Sequence, residues 1–297
     1  MNSVAIIAAW HKAHIAPVTR SLIEWLEARQ VSVALDREVA RRLDRPELVR
    51  HEAELIAGAE LVLALGGDGT LLGAARLAAP HGIPIMGINL GGFGFLTTIS
   101  REEMFDVLPT VLNGDFQVEE RMMLAAALLR RDQVLERFIG LNDVVISKGA
   151  FSRLVRLHTS INGEYLGTFP ADGIIVSTPT GSTAYSLSAG GPVINPAAQV
   201  IVITPICPHT LSARPLIVSA EEEIEISITS EPGGQLEIVA TVDGQLGYEM
   251  QTRDVLRVRR ADFAARFVSL GRPSFYSRLR TKLRWGERRT GRSSSGG

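Results

Sequence analysis

The chain has 297 residues, 45% of them hydrophobic and 21% charged, an ordinary folded composition and a length that suits two medium domains. With 31 basic and 32 acidic residues its formal net charge is −1, so no broad surface is expected to draw nucleic acid or an anionic membrane. The one cysteine, Cys207, forbids an internal disulfide and suits a reducing cytoplasm, with a small buried hydrophobe as its expected role. No apolar run nears the roughly 20 residues that span a bilayer, and the first residues lack a signal-peptide pattern, so a cytoplasmic location is expected.

Taken in order, residues 4–9 read as a short apolar strand, and Val18, Leu22, Ile23, Trp25 and Leu26 recur at helical spacing over 18–29. Strands follow at 31–35, 61–65 and 83–88. Strands alternating with helices predict a mostly parallel, Rossmann-like α/β sheet covered on both faces. His11 and His14 are spaced like ligands, but no third lies near and Pro17 suggests a loop, whereas a closed zinc site needs four.

Five apolar residues at 61–65 run into Gly66-Gly67-Asp68-Gly69-Thr70, and an apolar helical run begins at Leu71. Strand, tight turn and helix place bare backbone and free helix amides where a phosphate binds, beyond the carboxyl end of a strand. Asp68 is out of place among anion-binding groups. A carboxylate there binds a metal, takes a proton or bonds a sugar hydroxyl, unless it merely caps the helix. A second glycine-rich turn, 89–96, carries Phe93 and Phe95, which stack on a base or pack beneath the turn.

Near residue 118 the pattern changes to short alternating or β-branched runs: 124–129, 134–139, 143–146, 154–161, 173–177, 200–204, 224–228, 236–242 and 255–259. They predict an antiparallel β-sandwich over residues 119–270 behind an α/β domain at 1–118. Residues 276–285 form a basic helix expected to dock back on the first domain, extending it with 271–286, and 287–297 a disordered tail. Two polar stretches stand out in this half. Asn142-Asp143 opens a strand, as a turn pair or as ligand groups; residues 177–191 deliver hydroxyls and glycines around Tyr185 directly after a strand, as a binding loop does.

Gly66-Gly67-Asp68-Gly69-Thr70, the 89–96 turn, Asn142-Asp143, Asp172-Gly173, the Thr-Ala-Tyr loop at 183–185, Gly190-Gly191 and Asp243-Gly244-Gln245 together resemble the NAD kinase family over about residues 4–285. The resemblance implies phosphoryl transfer from ATP or polyphosphate to the 2′-hydroxyl of the adenosine ribose of NAD, with Mg²⁺ or another divalent metal. It implies Asp68 as general base, Gly69 at the nucleotide and Phe95 near adenine. Asn142 and Asp143 would bind the adenosine part, although many members carry Asn-Glu there. Thr183, Ala184, Tyr185, Ser186, Leu187 and Ser188 would surround the dinucleotide, Gln245 would complete the pocket, and Arg153 would reach ligand or phosphate. Asp172 would meet the nicotinamide side, commonly of a neighbouring subunit's ligand, and the family's habit implies a homodimer or homotetramer. A lipid or sphingoid-base kinase shares the first turn but needs an apolar cleft, and a non-catalytic NAD-binding regulator needs no base.

Overall fold

The computed structural model describes residues 1–10, 15–91, 94–97, 99–149, 154–229, 237–271 and 274–285, with the backbone alone at 52 and 53. His11, His14, Phe93, Arg153 and the tail from 287 lie outside the described residues.

The first elements are β1 (Ser3–Ala8), α1 (Ile15–Glu27), β2 (Ser32–Leu35), α2 (Arg37–Leu43), α3 (Glu52–Ala57), β3 (Leu61–Gly66), α4 (Asp68–Ala78), β4 (Pro84–Asn89), β5 (Ile99–Ser100) and α5 (Met104–Leu112). Strands β6 (Gln117–Arg130), β7 (Gln133–Gly140), β8 (Asp143–Lys148), β9 (Val155–Ile161), β10 (Glu164–Ala171) and β11 (Gly173–Ser177) follow, then α6 (Tyr185–Ser188). The chain continues with β12 (Val200–Ile206), β13 (Leu216–Ser219), β14 (Ile224–Thr229), β15 (Ile238–Val242), β16 (Leu246–Met250), β17 (Val255–Ser269) and α7 (Phe275–Leu283).

β1 pairs in parallel with β2 and β3, and β3 with β4. A strand covered on both faces has no reason to alternate, and β3 is buried at every residue. Leu22 and Leu26 of α1, Val39 of α2 and Leu108 of α5 pack with Ile6, Leu63 and Leu65 on one face. Leu71 and Ala75 of α4 pack with Val62, Ala64 and Ile85 on the other.

In the later half a six-stranded antiparallel sheet, β13-β12-β11-β8-β15-β16, faces β6, β9, β14 and β17. Val144, Ile146, Ile174, Val176 and Ile203 from one layer share a core with Leu128, Leu157, Ile226 and Val258 from the other, which is the expected sandwich.

One layer of that sandwich and the parallel sheet are a single eleven-stranded sheet. β17 runs antiparallel to β6 and β14, then joins β4 in parallel at Arg266↔Pro84 and Phe267↔Ile85. The strand expected at 255–259 therefore continues to Ser269, its polar stretch absorbed by a register shift between Arg260 and Ala264. β10, β13 and β16 lie at sheet ends, β13 and β16 mostly exposed and β10 exposed or half-buried along most of its length, so they lack the alternation by which a half-buried strand is recognised.

α7 is capped by Ser274, which accepts the amide of Ser277, and buries Leu279. Its Arg278 lies in a cavity wall with Ile85 and Gly87 of β4 and Phe267 and Val268 of β17, so the helix docks on the parallel sheet. Cys207 departs from expectation: it is exposed, with φ at 44°, because β12 ends at Ile206 and the chain turns there. Among the described residues no helix is long and apolar enough to cross a membrane.

Candidate active site

The turn after β3 is shaped by what will not fit. A Cβ on Gly66 would stand 2.1 Å from the Thr70 hydroxyl oxygen, so strand and helix meet this closely only with glycine there. Gly67 is the N-cap in an extended conformation without a side-chain cap, and Asp68 is the first residue of α4. The capping reading of Asp68 is thereby set aside, because its carboxylate turns to another loop. Oδ2 accepts the amide of Phe95 at 2.8 Å, and Oδ1 accepts those of Leu96 and Thr97, both at 3.2 Å. Thr97, itself buried, accepts the amide of Gly94 on its hydroxyl at 3.1 Å and closes that loop.

Gly94 sits against the carboxylate so tightly that a Cβ there would come within 1.8 Å of Asp68 Oδ1. Gly94→Ala is accordingly expected to push the carboxylate off its three amides without removing it. With the role that the sequence resemblance implies for Asp68, turnover should fall by roughly 10²-fold, the scale of an ångström's misplacement, while circular dichroism stays unchanged; undiminished turnover would mean that the placement of Asp68 is immaterial.

A second group of site residues stands at the turn between β7 and β8. Asn142 and Asp143 stand there as expected, and the group that holds them is Asp243, in the β15–β16 hairpin. Its side chain is fully buried. Oδ1 accepts the amides of Asn142 at 2.8 Å and Asp143 at 3.3 Å, and Oδ2 that of Leu141 at 3.1 Å. Arg76 of α4 completes the set with an ion pair to Oδ2 at 3.1 Å. Two residues on, Gln245 Nε2 donates to the Gly69 carbonyl at 2.6 Å, while Arg76 donates to Gln245 Oε1. One arginine thus locks the helix that carries Asp68 to the turn that carries Asn142 and Asp143. Sequence reading misses Arg76, since nothing local marks it and its partner lies 167 residues away.

Asp143 is 4% exposed, and burial, reinforced by the charge of Asp243, pushes its carboxyl up to about 7. Between the ordinary 3.8 and about 7 the unfolded chain carries this group ionised and the folded chain carries it protonated. The folded state then binds more protons, so stability falls as pH rises through that window, by up to about 1.4 kcal/mol per unit. Urea unfolding should show the wild type losing ground to Asp143→Asn from pH 5 to about 7 and no further above it; parallel curves over pH 5 to 7 would exclude the buried proton.

The 177–191 loop spends most of its hydroxyls on bonds within the protein. Thr178 donates to the Leu141 carbonyl at 2.6 Å, Ser182 to that of Pro179 at 2.7 Å, and Ser186 shares a 2.9 Å bond with Thr204. Gly181 abuts the Asn142 backbone, where a Cβ would meet the carbonyl oxygen at 2.0 Å. Thr183, Ala184 and Leu187 are half-buried, Ser188 and Tyr185 exposed, and Ser186 fully buried. Phe95, half-buried, contributes its amide to Asp68. Asp172 is elsewhere: it pairs with Lys148 at 3.1 Å at the far end of β11, ~20 Å of extended chain from Thr178 at about 3.3 Å per residue.

A family model described as the ATP-NAD kinase N-terminal domain matches residues 4–116, and one for the ATP-NAD kinase C-terminal domain matches 141–270. The NAD kinase of Moorella thermoacetica is 49% identical over 286 residues, covering 96% of this chain and 90% of its own. That of Citrifermentans bemidjiense is 45% identical over 290 residues, covering 97% of this chain and all of its own. The chain belongs to the NAD kinase family. The yeast NADH kinase, solved in complex with NADH, superposes with a TM-score of 0.87 at 26% identity, covering 98% of this chain and 90% of that one. The Archaeoglobus fulgidus NAD kinase, solved in complex with ATP, shares the fold at a TM-score of 0.73 and 24% identity, covering 95% of this chain and 98% of that one. In NAD kinase terms, the Gly66–Thr70 turn, the 94–97 loop and the Asn142–Asp143 turn are motifs far apart in sequence that the Arg76–Asp243–Gln245 lock and the Asp68 bonds draw together.

Proposed function

We propose that Asp68 is the general base that takes the proton from the 2′-hydroxyl of the adenosine ribose of NAD as the terminal phosphoryl group of ATP or polyphosphate arrives. NAD phosphorylation is the activity of the family to which the chain belongs. The observation that carries the role of Asp68 is its hydrogen bonding. A carboxylate has about four acceptor positions; three are occupied by the amides of Phe95, Leu96 and Thr97, which leaves one, on Oδ2, for a hydroxyl. Rigidly held and half-buried, the group needs no reorientation to take a proton, which is the use of preorganisation.

On this reading Asn142 and Asp143 receive the adenosine moiety, the backbone and side chains of 183–188 flank the dinucleotide, and the first amides of α4 with Gly69 receive donor phosphate. Residues 1–118 then form the α/β nucleotide-binding domain and 119–270 the NAD-binding domain. Mg²⁺ enters on the donor's phosphates, as it commonly does; among the described residues no three His, Cys, Asp or Glu side chains cluster to hold a metal. The remoteness of Asp172 supports a homodimer or homotetramer in which it serves a neighbour's ligand. The single cysteine supports action in the cytoplasm.

The test is incubation with NAD, Mg²⁺ and either ATP or polyphosphate, the product being read by an NADP-specific dehydrogenase. NADP from at least one donor is expected. A product that the dehydrogenase refuses would move the phosphate off the 2′ position and end the assignment of Asp68.

A further inference from the structure

Behind the Asp68 loop, two arginines meet in a place built for an ion that neither supplies. Arg121 comes from β6, with 6% of its side chain exposed, and Arg278 from α7, with 10%. Both reach for Glu119, Arg121 in direct contact and Arg278 at 4.0 Å, but Glu119 is 41% exposed and stands at the rim. Two cations against one anion leave a net positive charge. The Nε of each guanidinium is buried without any hydrogen-bond partner. Both arginines, with Glu119 at its edge, line a cavity of about 10 Å³ whose other walls include Gly87, Leu96, Phe267 and Val268.

A buried N–H without a partner costs about 1–3 kcal/mol, and a buried charge without compensation costs more. The strain registers on Arg121, whose guanidinium is depressed by burial, relieved by Glu119 and depressed again by Arg278. A water molecule could accept from the Nε groups but would leave the charge; an acceptor carrying a negative charge answers both needs. Size narrows the choice, because ~10–15 Å³ on this measure accommodates one water-sized particle. Phosphate, sulfate and carboxylates are too large for it.

We propose that this cavity is a binding site for one monatomic anion, chloride in the cell, clamped between Arg121 and Arg278. Its occupant joins α7 to β6 across the sheet and backs onto Leu96, whose amide is one of the three that hold Asp68. Chloride is therefore a structural ligand of the segment that positions the carboxylate. Because it binds the folded state alone, it raises stability by mass action.

The full-length protein is unfolded thermally in potassium chloride and in potassium gluconate at equal ionic strength, which cancels general screening. Chloride should raise the midpoint by at least ~2 °C, bromide should do the same, and Arg278→Met, which keeps the apolar stem of the side chain, should fold yet lose the halide increment. Crystals grown in bromide should show an anomalous peak between the two guanidinium groups. Equal midpoints in the two salts, a halide increment that survives in Arg278→Met, or a cavity holding water alone would each overturn the site.

Discussion

Replacing Asp68 by asparagine is expected to lower kcat by roughly 10²-fold or more, the scale of a lost general base. Two separate losses contribute. The amide has no basic oxygen for the hydroxyl proton, and it has only one oxygen where the carboxylate uses two. Whichever way the amide is turned, its NH₂ faces at least one of the Phe95, Leu96 and Thr97 amides, donor against donor. An orphaned amide costs about 1–3 kcal/mol, so the 94–97 loop should loosen as well. The variant is therefore expected to show a modestly lower unfolding midpoint, with KM for NAD moving far less than kcat. Steady-state kinetics and a thermal scan on the same preparation check both losses. A variant that turns over at half the wild-type rate would take Asp68 out of the chemistry, whatever its stability.

Asp243→Ala is expected to destabilise the fold by about 3–5 kcal/mol, the cost of breaking a buried ion pair by removing one partner. It strips the acceptor from Leu141, Asn142 and Asp143 and leaves Arg76, 16% exposed, without its counter-charge. Against a total stability of about 5–15 kcal/mol, that is a loss easily read by urea unfolding. The measurement is cleanest near pH 5. There Asp143 carries its proton in the folded protein, whose carboxyl sits at about 7, so the relief from losing a neighbouring negative charge adds little. At higher pH that relief offsets part of the cost, and the apparent loss should shrink. KM for NAD should rise, since the Asn142–Asp143 turn loses its anchor. A change under 1 kcal/mol at pH 5 would show that the lock between α4 and the turn is ornamental.

The legible parts of this protein share one property: the residues that cause them are neighbours in the chain. Strand, glycine turn and helix at 61–78 are visible because burial on both faces, close approach at Gly66 and the helix start are all written within one short stretch. Asn142-Asp143 and the 177–191 loop are visible as polar chemistry at strand ends. The hydroxyls of the loop are misleading in isolation, because whether Thr178, Ser182 and Ser186 face a ligand or other groups of the protein depends on what packs beneath them.

From the sequence alone came the alternation of buried strands and helices, the change to short strands near residue 118 and the isolation of Asp68 among glycines, because periodicity and steric permission are local. The tertiary structure decided that β17 fuses the two sheets, that Arg76 and Asp243 lock α4 to the Asn142–Asp143 turn, and that the loop amides rather than the helix claim Asp68. Each of those depends on partners brought together from distant parts of the chain, and a hydrogen bond across such a gap leaves no periodic trace at either end.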